Sequence, residues 1–180
     1  MNQVRLFIVI GVVLCALPAA GELQWRDGRW QLELSGSASI HSGGSSRSGD
    51  YMLRGLVEYE KPFSSRCTLG FRLLPLFVYE QDERGEDTVW GAGAGLGLRV
   101  YSVADEYRGW FVEGGAHVLG HKNRIVDNSS NINFLTGLGV GYKCSAGWHG
   151  VLRLEHISNA NLGRYNSGVN MLTLGLGYAF

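Results

Sequence analysis

From residue 30 to residue 180 the side chains change character at almost every step, and a period of two sustained that long leaves a chain few folds. Residues 30–41 open the pattern. Trp30, Leu32, Leu34, Gly36, Ala38 and Ile40 fall on one side, and Gln31, Glu33, Ser35, Ser37, Ser39 and His41 on the other. Successive strand side chains point to opposite faces, so this segment reads as a strand with one apolar face. The alternation returns at 51–60, 67–80, 88–101, 109–120, 131–143, 151–158 and 170–180. Short turns alternate with longer polar loops between these segments. Eight strands connected in that way predict an all-β, antiparallel, up-and-down barrel closed between its first and last strands. In 67–80 the apolar side is Leu69, Phe71, Leu73, Pro75, Phe77 and Tyr79; Pro75 lacks a ladder donor, so a bulge or local distortion is expected there.

Alternation does not say which face lies outside. A soluble lipocalin-like barrel turns its apolar face inward around a ligand, whereas a membrane barrel turns it toward lipid. Three features favour a transmembrane barrel. The polar face is crowded with Gly, Ser and Thr, as a narrow lumen requires. Its charges come in both signs (Glu33, Arg54, Glu58, Glu60, Arg72, Arg99, Arg153, Glu155) and can pair inside. Aromatic residues gather near strand ends, as where a barrel meets lipid headgroups. Trp30, Tyr59, Tyr101, Trp110, Tyr142, Trp148, Tyr178 and Phe180 fall at one rim, and Tyr51, Tyr79, Trp90 and Phe134 toward the other.

The N-terminal residues agree with export. Arg5 precedes an apolar run over 6–20, and Ala19, Ala20 and Gly21 offer small residues to a signal peptidase. Residues 1–21 are expected to be removed, leaving 22–180 as one barrel domain in the cell outer membrane. Of the three cysteines, Cys15 leaves with the leader. Cys67 and Cys144 are expected on opposite sides of the barrel as two free thiols. The 16 basic and 16 acidic residues balance, so no global field recommends nucleic acid as a partner. The 27 glycines show no collagen period, and those of 91–97 precede no helix, so they are barrel packing and not a phosphate loop. His41, His117, His121 and His149 have no metal-ligand spacing; neither a metal nor a cofactor is expected.

Strand parity then singles out one stretch. In 151–158, Arg153 and Glu155 belong in the lumen, so His156 and Ser158 look outward with Leu152 and Leu154. In 170–180, Asn170 shares its side with Leu172 and Leu174. If Leu154 lies beside Leu172, His156 lies beside Asn170, at the ~4.5–5.5 Å spacing of directly opposed residues. Polar groups facing hydrocarbon cost free energy unless compensated. Either this cluster merely sits at the headgroup boundary, or it does chemistry.

His156-Ile157-Ser158-Asn159-Ala160, then Asn166-Ser167-Gly168 and an apolar strand ending in Phe180, resembles the PagL family of outer-membrane lipid A 3-O-deacylases. The specific likeness covers the last 25 residues or so; the eight-strand export layout agrees over the rest. The resemblance implies a serine esterase acting on lipid A, with lipopolysaccharide and outer-membrane lipids as partners and a homodimer admitted. It makes Ser158 the nucleophile and His156 the general base. The backbone amides of Asn159 and Ala160, with the Asn166 side chain, become the oxyanion site. A serine hydroxyl needs a base to take its proton, and a tetrahedral oxyanion needs fixed donors. Residues i and i+2 of a strand do not automatically touch, so local twist or a bulge must close the gap. The family's pattern has a glutamate where this chain has Asn170. An asparagine orients the imidazole but does not stabilise the imidazolium formed during attack. Arg47, Lys122, Arg124 and Arg164 lie in loops on the same side, as ligands of lipid A phosphates or as ordinary solvated charges. The rival to the enzyme is a small non-enzymatic barrel with structural or surface duties.

Overall fold

The computed structural model describes residues 25–40, 47, 49–81 and 88–180; the leader expected at 1–21 and His41 lie outside them. Eight antiparallel strands close into one barrel in sequence order: β1 (Arg29–Ile40), β2 (Tyr51–Pro62), β3 (Cys67–Glu80), β4 (Val89–Val103), β5 (Arg108–Lys122), β6 (Ile132–Lys143), β7 (Trp148–Ser158) and β8 (Val169–Ala179). β1 pairs with β8 from Gln31–Ala179 to Ile40–Asn170, so no strand edge is left open. The connections after β2, β4 and β6 are short; those after β1, β3, β5 and β7 are longer and share the opposite end.

Burial alternates along every strand, and the apolar side is the outer one. Leu34, Leu154, Leu174 and Leu176 are among many large apolar side chains left exposed around the wall. In water such a belt would be a severe aggregation hazard; facing lipid it is the expected exterior of a membrane barrel. At the short-turn rim, cross-strand aromatic pairs complete the belt: Trp30 with Tyr59, Trp110 with Tyr142 and Trp148 with Tyr178, ring centroids 5.1–5.4 Å apart.

Two members of the expected girdles point the other way. Tyr101 shares the inward parity of Arg99, and its hydroxyl donates to Glu60 (2.6 Å). Tyr79 is inverted by a β-bulge at Pro75: residues 74–76 of β3 face only 55 and 56 of β2, and 75 and 76 face only Ala92 of β4. Proline interrupts the ladder, the extra residue resets the parity, and Phe77 and Tyr79 turn inside beyond Leu74, which keeps the inward parity of Arg72. The distortion at Pro75 is as expected; Phe77 and Tyr79 on the lipid face are not.

The lumen is filled, in two zones. Near the short turns, Arg72 bridges Glu58 and Glu113 (2.8 Å each), Arg99 reaches Glu58 and Glu113, Arg153 joins Glu113 to Glu33, and Lys143 holds Glu60 (2.8 Å). Glycines make room for these side chains: a Cβ on Gly97 would lie 2.2 Å from the Arg72 guanidinium carbon. Near the long loops the filling is apolar, from Met52, Leu74, Phe77, Leu119, Leu135, Ile157, Val169 and Met171 among others. Each such side chain contributes about 1.5–3 kcal/mol relative to exposure. This apolar zone backs the outer end of β7 and β8. Cys67 and Cys144 are free thiols.

Candidate active site

β7 carries His156 and Ser158 outward with the inward, fully buried Ile157 between them. Ile157 packs into the apolar lumen and so anchors the backbone that presents both polar side chains. β7 pairs with β6 and β8 without a register shift: Thr136 and Asn170 flank His156, and Phe134 flanks Ser158. Leu154 is opposite Leu172, as the parity argument required.

His156 Nδ1 and Asn170 Oδ1 are 2.6 Å apart. With the amide oxygen accepting from Nδ1–H, the neutral ring presents its Nε2 lone pair, the tautomer a general base needs. Among the described residues no hydrogen bond engages the Ser158 hydroxyl. The unbroken register means that no bulge brings it to the histidine; the two are same-face neighbours of a strand. The side of the imidazole is bounded by Gly168: an added Cβ there would lie 2.5 Å from His156 Cε1 and 3.0 Å from Nε2, and 3.3 Å from Ile157 O. Gly168 occurs in the motif but carries no polar atom, so reading for chemistry alone overlooks it.

Beyond Ser158 the chain turns sharply. Ala160 and Asn161 both adopt left-handed backbone conformations (φ 50° and 63°), uncommon for residues with a Cβ. The turn is held by asparagines. Asn159 N–H donates to Asn166 Oδ1 (2.9 Å), Asn161 N–H to Asn159 Oδ1 (2.9 Å), and Asn166 Nδ2 to Asn161 Oδ1 (3.1 Å). The fully buried Asn159 side chain also donates to Asn128 Oδ1 (3.0 Å) and Tyr165 O (2.8 Å), tying the β7–β8 loop to the β5–β6 loop. Of the expected oxyanion donors, the Asn159 amide is therefore occupied. The Ala160 N–H and the second amide hydrogen of Asn166 have no partner among the described residues.

The four loop cations separate. Lys122, over the Trp90 ring (5.9 Å), Arg124, and Arg164, over Tyr165 (5.4 Å), are exposed at the loop end. Arg47 is not: only 6% exposed, it donates to Val126 O and Ser167 Oγ within the loops. Its guanidinium is engaged in loop contacts below the surface, unlike those of Arg124 and Arg164. Among the described residues no group of three or more His, Cys, Asp or Glu side chains could hold a metal.

Closed barrel, lipid-facing belt and an outward hydroxyl, imidazole and amide at the loop end together define a membrane barrel with a candidate hydrolytic site on its outer wall. Residues 19–179 match the family described as lipid A 3-O-deacylase (PagL), and the chain belongs to that family. Among solved structures it is similar to the N-terminal β-barrel domain of Pseudomonas aeruginosa OprF, with 16% identity, TM-score 0.52, and 87% of this chain and 100% of that one covered. It is also similar to the outer membrane protein OprG of Pseudomonas aeruginosa, with 12% identity, TM-score 0.45, and 89% and 98% covered. The first of these likenesses bears on the barrel fold alone. No curated protein sequence matches significantly.

Proposed function

We propose that this chain removes the 3-O-linked acyl group of lipid A by a serine mechanism at the outer boundary of the outer membrane, after export through a leader at 1–21. The observation that carries the reading is the 2.6 Å contact between His156 and Asn170 on the lipid face, with Ser158 two residues along the same face of β7. In a chain of this family, that is an ester-cleaving constellation placed where an acyl chain lies.

Ser158 Oγ attacks the ester carbonyl while its proton passes to His156 Nε2. Asn170 Oδ1 holds Nδ1–H and so keeps the ring in the competent tautomer. The oxyanion takes hydrogen bonds from the Ala160 N–H and the Asn166 amide, with Asn159 supporting the turn that aims them. Collapse breaks the ester bond, and the imidazolium returns its proton to the departing 3-hydroxyl. Water, deprotonated by His156, then releases the fatty acid from Ser158. Lys122, Arg124 and Arg164 are the exposed cations available to lipid A phosphates. Every residue in this scheme comes from one chain, so a second copy is not needed for the chemistry.

One feature favours the non-enzymatic alternative: Asn170 supplies no negative charge to the imidazolium. Mass spectrometry of lipid A from cells producing the wild type or Ser158→Ala decides between them. Loss of one ester-linked acyl chain with the wild type alone is expected; identical spectra sink the enzyme.

A further inference from the structure

The Arg47 side chain, on sequence grounds a ligand of lipid A phosphates or a solvated loop charge, is buried against two other long loops. Its Nη2 donates to Val126 O in the β5–β6 loop (2.5 Å) and to Ser167 Oγ in the β7–β8 loop (3.1 Å), and its Nη1 lies 3.8 Å from Asp50 Oδ2. Its own carbonyl accepts from Asp50 N–H (3.2 Å) and from the Ser39 hydroxyl, which fixes the Arg47 backbone to the barrel rim. The guanidinium thus spans loops that are far apart in sequence. Its Nε is buried without a partner among the described residues, so the site keeps a charged group at a desolvation cost.

What Arg47 grips explains why that cost is tolerated. Ser167 is held twice, by Arg47 at its hydroxyl and at its N–H by Asp127 O (3.0 Å). Its neighbours are the two residues that touch the candidate chemistry from this loop. Asn166 on one side accepts from the Asn159 amide and presents its second amide hydrogen. Gly168 on the other side lies against the His156 imidazole. Asn166 is tied in addition by its Nδ2 to Asn161 Oδ1 and by the short bridge to Asn128, while Gly168 follows Ser167 directly into β8.

We infer that Arg47 is a positioning residue for the deacylation reaction, setting the Asn166–Ser167–Gly168 strap against the His156 ring, and is not a ligand of the lipid A phosphates. This rests on the Ser158–His156 reading above. A strap displaced by about 1 Å misaligns both the oxyanion donor and the base, and misplacement on that scale costs about 100-fold in rate.

The test compares Arg47→Met, Arg47→Lys and Ser167→Ala with the wild type, all full-length and refolded to the same heat-modifiable gel mobility. Rates are measured on bisphosphorylated and on dephosphorylated lipid A, alongside the rate at which a fluorophosphonate labels Ser158. For Arg47→Met, kcat is expected to fall about 100-fold on both substrates. KM should stay within about twofold, and labelling should slow in step, since that probe carries no phosphate headgroup to be recognised. Arg47→Lys should recover part of the loss, and Ser167→Ala should show a smaller fall of the same kind. A rise in KM confined to the bisphosphorylated substrate would make Arg47 a phosphate ligand and overturn the inference. Wild-type kcat and labelling in the variants would also overturn it, leaving Arg47 a loop staple only. If Arg47→Met does not fold, Arg47→Lys and Ser167→Ala carry the same decision. A Ser158→Ala protein that still deacylates identifies the parent mechanism, and not the strap, as the error.

Discussion

Asn170 offers the sharpest test of how the site works, because one atom separates its amide from a carboxylate of the same length. In Asn170→Asp a carboxylate oxygen would take the place of Oδ1, 2.6 Å from His156 Nδ1. As the proton leaves Ser158 the ring becomes an imidazolium, and a negative partner about 4 Å from its charge centre stabilises it by roughly 1 kcal/mol in water and roughly 4 kcal/mol at an effective dielectric of about 20. At about 1.4 kcal/mol per decade these limits correspond to about 5-fold and about 1000-fold in kcat. His156 is exposed and Asn170 half-buried, so screening holds the gain toward the lower limit, and about tenfold is expected. Asn170→Glu must fold an extra methylene into the same gap and should hold or raise activity; Asn170→Ala loses the orienting contact and should lower it. The assay is fatty acid release from lipid A in detergent micelles across pH. Collapse of activity in both carboxylate variants, with the barrel still heat-modifiable, would show that residue 170 does not orient the base.

Gly168→Ala should lower kcat/KM by about 100-fold with little change in unfolding, because the new methyl occupies the place of the imidazole edge and the ring is the part able to move. Wild-type activity in that variant would mean the ring position is not critical. In the lumen, Arg153→Met leaves Glu33, among the described residues, with only His149 (3.3 Å) and removes one of the cations around Glu113. Breaking a buried ion pair from one side costs about 3–5 kcal/mol, so the urea midpoint in detergent should drop clearly; an unchanged midpoint would refute the pairing.

Much of this protein is legible in the order of its residues. Period-two alternation needs only local stereochemistry, and with charges of both signs on one face it places Arg153 and Glu155 inside and His156, Ser158 and Asn170 outside. One register assumption, Leu154 beside Leu172, then brings His156 and Asn170 together. The aromatic girdle at the short-turn rim follows from the same parity wherever the ladder is unbroken. Parity is a counting argument, however, and it fails after an insertion. At Pro75 the ladder gains a residue, and Phe77 and Tyr79 pass from lipid to lumen although nothing in their own identity marks the change. The apolar half of the lumen escapes sequence reading for a related reason: Leu119, Ile157 or Met171 on the inner face suits either lining, and only the closed barrel brings these side chains into one cluster. Loops carry no periodicity at all. Whether Arg47 meets phosphates or Val126 and Ser167, and whether the Asn159 amide is available or engaged, depends on which loops meet over the barrel mouth. The sequence by itself therefore determined the barrel, its lipid-facing side and the strand positions of the candidate catalytic row. The tertiary structure decided what holds that row in place, because hydrogen bonds between segments distant in the chain arise only when the closed barrel brings those segments to one rim.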